Sequence, residues 1–317
     1  MSTLPVSVVV PLFNKAAHIE RCLRSILGQT CRKVEVVVVN DGSTDGGDQI
    51  VGTIGDQRVR LVHQANFGVS AARNRGLAEA IHEWVFFLDA DDEWAPTMVE
   101  SLIGLQARCP DAGVVACPTE LVYADGSSSR VALDDRDFRD GSETLKDYFA
   151  SFARLGQSPF SNSSFAVHRV AFERAGGYTP GVRLTEDSDL WVRLALSTPM
   201  AMIRTALARY HVDAPGNTRT IAQLEQFEVI RTLERVLKLG EVPAEQLPGA
   251  ESLLRLQKLM QIRRHVLLGQ RAPALRGLTD HDLWLGAAAP SFVALIAALT
   301  PASWVQTARR IKGLAKR

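Results

Sequence analysis

Five short runs, at residues 6–10, 34–39, 59–63, 84–88 and 113–117, are dominated by apolar and often β-branched residues and do not alternate cleanly with polar ones. Strands buried on both faces read this way, because neither side of the pleat meets water. After the first run, Ile19, Cys22, Leu23, Ile26 and Leu27 fall on one face of a 3.6-residue period. Pro96 suits the first turn of a helix carrying Val99, Leu102 and Ile103. Strand and helix thus alternate up to about Cys117. That alternation predicts an α/β fold: βαβ units in a doubly wound, mostly parallel sheet flanked by helices, with a ligand crevice at the carboxyl ends of the strands.

From Thr119 the pattern changes. Two short runs around Ala124-Asp125-Gly126-Ser127 predict a hairpin. Residues 142–155 read as helix, 164–168 as strand, 170–175 as a helix stopped by Gly176-Gly177, and 186–196 as helix. A boundary is expected near residue 218, giving a catalytic domain over 1–218 and a C-terminal helical extension over 219–317. In that extension 221–239 and 252–268 read as helices separated by a Pro/Gly-containing loop at 241–250, and 283–308 carries no charged residue. This last run is long enough to cross a bilayer but is interrupted by Gly286, Pro290, Ser291 and Pro301. Trp304, Ala308, Ile311 and Ala315 then repeat at helical spacing beside Arg309, Arg310, Lys312, Lys316 and Arg317. Such a segment suits either peripheral contact with an anionic membrane or a packed helix pair ending in a solvated basic tail.

Composition narrows the class. With 317 residues, 46% hydrophobic and 22% charged, the chain can bury a full core, and a net charge of +1 gives no field to recruit nucleic acid. Cys22, Cys31, Cys109 and Cys117 show neither CxxC spacing nor the density of a disulfide scaffold. The opening Met-Ser-Thr-Leu-Pro lacks the basic start of a signal peptide. A reduced, cytoplasmic protein is the expectation.

The densest chemistry is Asp89-Ala90-Asp91-Asp92, directly after a buried strand. In extended chain, residues i and i+2 face the same side, so Asp89 and Asp91 can share one crevice. Converging carboxylates suit Mg²⁺ or Mn²⁺ bridging to substrate phosphates. The plainer alternative is an acidic loop in which Asp91 or Asp92 caps a turn before Pro96. Asn40-Asp41-Gly42-Ser43-Thr44-Asp45 follows another valine-rich strand. There Asp41 can accept from a base N–H, or Ser43, Thr44 or Asp45 can simply cap the next helix. A third loop, residues 65–76, brings Asn66, Gly68 and Arg73 to the same sheet edge without a GxGxxG or P-loop pattern. That absence argues against dehydrogenases and P-loop enzymes. Finally, Asp187 shares a helical face with Leu190, Trp191 and Leu194, which turns it toward a packed side, while Thr185 could serve as cap.

These four features, in this order and preceded by Pro11-Leu12-Phe13-Asn14, resemble family 2 of the glycosyltransferases, which has the GT-A fold; the resemblance spans residues 6–211. It implies an inverting hexosyl transfer from a nucleotide sugar to a hydroxyl of a glycan or lipid-linked acceptor, in polysaccharide or glycolipid synthesis. Asp41 would contact the base, usually uracil, beside Pro11 and Phe13, with Asn14, Asn66, Gly68 and Arg73 supporting the donor pocket. Asp89 and Asp91 would match the DxD motif, Asp91 being the nearer ligand of Mg²⁺ or Mn²⁺. Asp187 would match the catalytic base and Glu186 its companion. Where relatives carry a Tyr-Arg-x-His-like segment this chain has Ala208-Arg209-Tyr210-His211-Val212-Asp213, so His211 stays open between a diphosphate or metal contact and a structural residue. Two other classes compete: a sugar nucleotidyltransferase, disfavoured because Pro-Leu-Phe-Asn-Lys replaces a Gly/Arg-rich loop after the first strand, and a catalytically silent nucleotide-sugar binding module.

Overall fold

A computed structural model describes residues 4–182, 184–212 and 227–270, with 273, 274 and 277. The first part is a repeating strand and helix: β1 (Val6–Leu12), α1 (Ala16–Leu27), β2 (Val34–Asp41), α2 (Gly47–Thr53), β3 (Val59–Gln64), α3 (Val69–Glu79) and β4 (Trp84–Phe87). Then follow β5 (Glu93–Trp94), α4 (Met98–Arg108), β6 (Val114–Ala116), β7 (Thr119–Val122), β8 (Ser128–Arg130), α5 (Tyr148–Leu155), β9 (Phe165–His168), α6 (Arg169–Arg174), α7 (Glu186–Ser197), β10 (Met200–Met202) and β11 (Ala208–His211). Helices α8 (Glu228–Leu239) and α9 (Leu247–Leu267) close the described chain.

The main sheet has seven strands in the order β10-β6-β9-β4-β1-β2-β3. All pair in parallel except β9, which runs antiparallel between β4 and β6. Its two faces carry separate apolar cores. Val8, Val10 and Phe86 pack with α1 and α4 on one side, and Val9, Phe87 and Phe165 with α5, α7, α8 and α9 on the other. Successive residues of β1 and β4 thus enter opposite cores, which is why the sequence runs do not alternate. A second sheet, β5-β11-β7-β8, stands beside it and includes the expected hairpin, with Leu121 opposite Ser129.

Several expectations change in detail. The helix read at 142–155 begins only at Tyr148, because Leu145 N–H donates to Met200 O and Met202 N–H to Glu143 O at 2.8 Å each, spending that backbone on sheet pairing. Asp147 then caps α5 through Ala150 N–H. Pro96 lies ahead of α4, which starts at Met98 after Thr97. The loop read at 241–250 is shorter, since Pro248 sits in the first turn of α9, where its missing N–H costs nothing. The proposed boundary near 218, the start of the 221–239 helix and the run at 283–317 lie outside the described residues. Among the described residues no helix is long and apolar enough to cross a membrane.

Candidate active site

The strand ends of the main sheet open into a cavity of about 300 Å³. Pro11 reaches it from β1 and Phe13 from just beyond that strand, Asp41 from the last position of β2, Asn66 and Gly68 from the loop after β3, Arg73 from α3, Asp89 and Asp91 from the turn after β4, and Glu186 and Asp187 from the start of α7. Residues as far apart in sequence as Pro11 and Tyr210 therefore face one space.

Asp41 is 3% exposed, and its carboxylate holds the loop after β3: Oδ1 accepts from Gln64 Nε2 (2.7 Å) and Phe67 N–H (2.9 Å), and Oδ2 from Gly68 N–H (2.9 Å). A carboxylate has about four acceptor positions, so one on Oδ2 remains for a donor in the cavity. Nearby, Asp45 accepts from Ala16 N–H at the start of α1 and from Gly47 N–H at the start of α2, whose N-caps are Lys15 and Gly46.

The acidic turn is not extended. Asp92 N–H donates to Asp89 O at 2.9 Å, closing a turn that still leaves Asp89 and Asp91 on the cavity wall. Asp92 points inward, 1% exposed, accepting from the Ser163 hydroxyl and from His211 N–H; burial, then the Asp89 and Asp91 charges, push its pKa well up. The two cavity carboxylates do not face each other uncompensated. Arg73 pairs with Asp89 at 2.7 Å and Lys15 with Asp91 at 2.6 Å. Among the described residues no three His, Cys, Asp or Glu side chains gather as a complete metal cage. Two hard carboxylates beside a cavity nevertheless fit Mg²⁺ or Mn²⁺, which usually take one or two protein carboxylates and complete their shell with phosphate and water oxygens.

Arg73, 3% exposed, joins both ends of the site. It also contacts Glu186 at 3.2 Å and lies over the Tyr178 ring, 5.2 Å from the centroid. With its amide oxygen turned toward the guanidinium, Asn162 accepts from both terminal nitrogens at 3.1 Å. Burial works against the Arg73 charge, and Asp89 and Glu186 more than offset it, so the guanidinium stays ionised.

Burial and the adjacent Asp187 charge push the Glu186 carboxyl up to about 7, against the pull of Arg73. A rise of that size is roughly 3 kcal/mol. The favourable N-terminus of α7 supplies only ~1 kcal/mol to a carboxylate, so desolvation wins. Asp187 is raised too, by burial, against the Ser188 N–H (2.6 Å) and the Arg73 charge. Its helical face is as read: Leu190, Trp191 and Leu194 are 0%, 2% and 0% exposed. Thr185 does not cap with its side chain. It sits at φ 61°, strained for a β-branched residue, and its buried Oγ1 has no hydrogen-bond partner.

Two residues named from sequence stay outside the cavity lining. Asn14, exposed at φ 51°, accepts from Thr44 N–H (2.9 Å) and donates its own N–H to Ser43 Oγ, tying two loops together. His211 lies behind the acidic turn, its Nε2 3.4 Å from Glu93 Oε1. Sequence reasoning missed Lys15, Tyr178, Tyr210 and the Ser161-Asn162-Ser163 corner. A polar cluster wedged between Phe160 and Phe165 was the one available signal for that corner.

A sheet of this order, with acidic side chains gathered over its strand ends, defines a GT-A-like transferase fold. The sequence model of glycosyl transferase family 2 matches residues 7–172, just over half of the chain, and the protein belongs to that family. The uncharacterized glycosyltransferase YibD of Escherichia coli is 40% identical over 124 residues, spanning 38% of this chain and 36% of YibD. The uncharacterized glycosyltransferase RT0329 of Rickettsia typhi is 26% identical over 227 residues, 71% and 70% of the two chains. Among solved structures, Staphylococcus aureus TarS 1-349 in complex with UDP-GlcNAc superposes with a TM-score of 0.62 at 16% identity, covering 93% of this chain and 80% of that one. The mannosyltransferase PcManGT of Pyrobaculum calidifontis, in complex with GDP-Man and Mn²⁺, gives 0.60 at 22% identity, covering 93% and 79%. The protein is a glycosyltransferase.

Proposed function

We propose that this glycosyltransferase is metal-requiring and inverting, and moves a sugar from a UDP-linked donor to a hydroxyl of a glycan or lipid-linked acceptor. One observation carries the reading: Asp187 lines both the cavity that holds Asp41, Asp89 and Asp91 and a second cavity beside it. A base at that junction can take a proton from an acceptor hydroxyl in the second cavity as the oxygen attacks a donor carbon in the first. The new C–O bond forms as the bond to the diphosphate breaks on the opposite face, so configuration inverts in one displacement without an enzyme-bound sugar. Asp41 offers its remaining acceptor position to the base, Arg73 fixes Asp89 and Glu186, and Glu186 tunes Asp187 by charge. Asp89 and Asp91 would hold Mg²⁺ or Mn²⁺, whose chemistry when bound is to neutralise charge on the departing diphosphate.

The donor of PcManGT carries guanine rather than uracil, so the nucleotide is the first thing to test. Saturation-transfer NMR against UDP- and GDP-sugars, with and without EDTA, is expected to give metal-dependent contact with the UDP series. Binding that ignores chelation would remove the metal from the reading. Donor hydrolysis separates an enzyme from a silent binding module. We also propose that the basic C-terminal segment brings the enzyme to the cytoplasmic face of a membrane.

A further inference from the structure

The second cavity, about 470 Å³, opens beside Asp187 and is walled on one side by the helices that follow the catalytic sheet: Phe227 at the start of α8, and Gln257, Met260 and Arg264 on α9. Opposite them stand Phe160 and Trp191, packed edge to face at 4.9 Å. Most of the remaining wall is neutral and polar. Among the described residues that line it, only Asp187 and Arg264 are of the acidic or basic residue types.

Gln257 is the informative residue. It is 2% exposed and faces this cavity from α9. Buried polar groups are paired in almost all proteins because leaving one unmade forfeits its full solvation. On the opposite wall the Trp191 indole N–H and the Thr185 hydroxyl are buried without hydrogen-bond partners among the described residues. Aromatic faces alternating with unpaired neutral donors and acceptors complement one kind of molecule, a ring with C–H faces and hydroxyl edges. A phosphate or diphosphate would need several convergent cations, and among the described residues of this wall Arg264 is the one cation.

We infer that the cavity between the catalytic sheet and α9 takes an uncharged sugar ring of the acceptor, and that Gln257 and Met260 are specificity-determining residues for it. The inference rests on Asp187 being the base only for its catalytic consequence; the binding itself does not. Gln257 then meets hydroxyls at one edge of the ring, Met260 and Phe227 pack on a face, and the hydroxyl to be glycosylated points to Asp187.

The test is saturation-transfer NMR on the full chain with UDP together with methyl glycosides of glucose, galactose, mannose and N-acetylglucosamine, and separately with glycerol 3-phosphate. Wild type is expected to contact at least one glycoside. That contact should weaken about tenfold in Gln257→Leu, the effect of one hydrogen bond, and vanish in Met260→Trp, which fills the space. Persisting UDP contact shows that each variant is folded. Because no turnover is read, the result stands apart from the base assignment. Equal glycoside contact in all three proteins, none in wild type, or glycerol 3-phosphate bound in preference to every glycoside overturns the inference.

Discussion

At the scale of single residues, the proposed roles separate the group that binds from the group that reacts. Asp187→Asn keeps the shape of the wall and should leave UDP affinity unchanged while transfer falls by ~10²–10⁴, the range for losing a general base. Near-normal turnover would reassign the base. The raised carboxyls give a pH dependence whose sign follows from the base having to be ionised. Burial raises both carboxyls of the pair, Glu186 to about 7, so the acid limb of kcat/KM should lie above the range near 4 where an ordinary carboxylate would have levelled off. Glu186→Gln removes the neighbouring negative charge and leaves Arg73 to act on Asp187 alone. The acid limb of the profile should then move to lower pH, and a limb that stays in place would show that the pair does not titrate together. Asp91→Ala deletes one cavity carboxylate from a solvent-reachable turn. It is expected to abolish metal-dependent donor contact with little change in the urea midpoint, and EDTA should mimic it.

At the scale of elements, the cavity walls are set by how closely helices approach. A Cβ on Gly249 would lie 2.3 Å from Asp147 Oδ2 and 2.8 Å from Ala150 N, so the start of α9 rests directly on the cap of α5. Gly249→Val should therefore displace both helix and cap, costing about 2–4 kcal/mol from overpacking and lost capping, read as a lowered urea midpoint. An unchanged midpoint would mean that α9 is held elsewhere. The same logic places α3: a Cβ on Gly76 would lie 2.2 Å from Val9 Cγ1, and that closeness keeps Arg73 over the strand ends. Neither contact is visible in a hydrophobic pattern, which marks which side of a helix is buried but not what it meets.

For the whole molecule, α8 and α9 share one apolar core with α5 and α7, so the segment after the catalytic sheet is packed against it. Deleting 283–317 leaves both helices intact and should abolish sedimentation with anionic liposomes at low salt, an attachment that high salt weakens by screening. Equal binding by the full and shortened chains would reject membrane recruitment through that segment. What the sequence determined by itself is local. Runs of valine specify strands buried on both faces, the periodicity of α1 and α7 specifies their packed sides, and Asp41, Asp89 and Asp91 are legible because they lie at or shortly after the ends of such strands. Only the tertiary structure decided that β9 enters antiparallel, that residues 142–147 pair as strand edge, that Arg73 and Lys15 each hold one cavity carboxylate, and that His211 turns away behind Asp92. Those outcomes depend on partners far apart in the chain, and period and propensity carry information only about a residue's immediate neighbours.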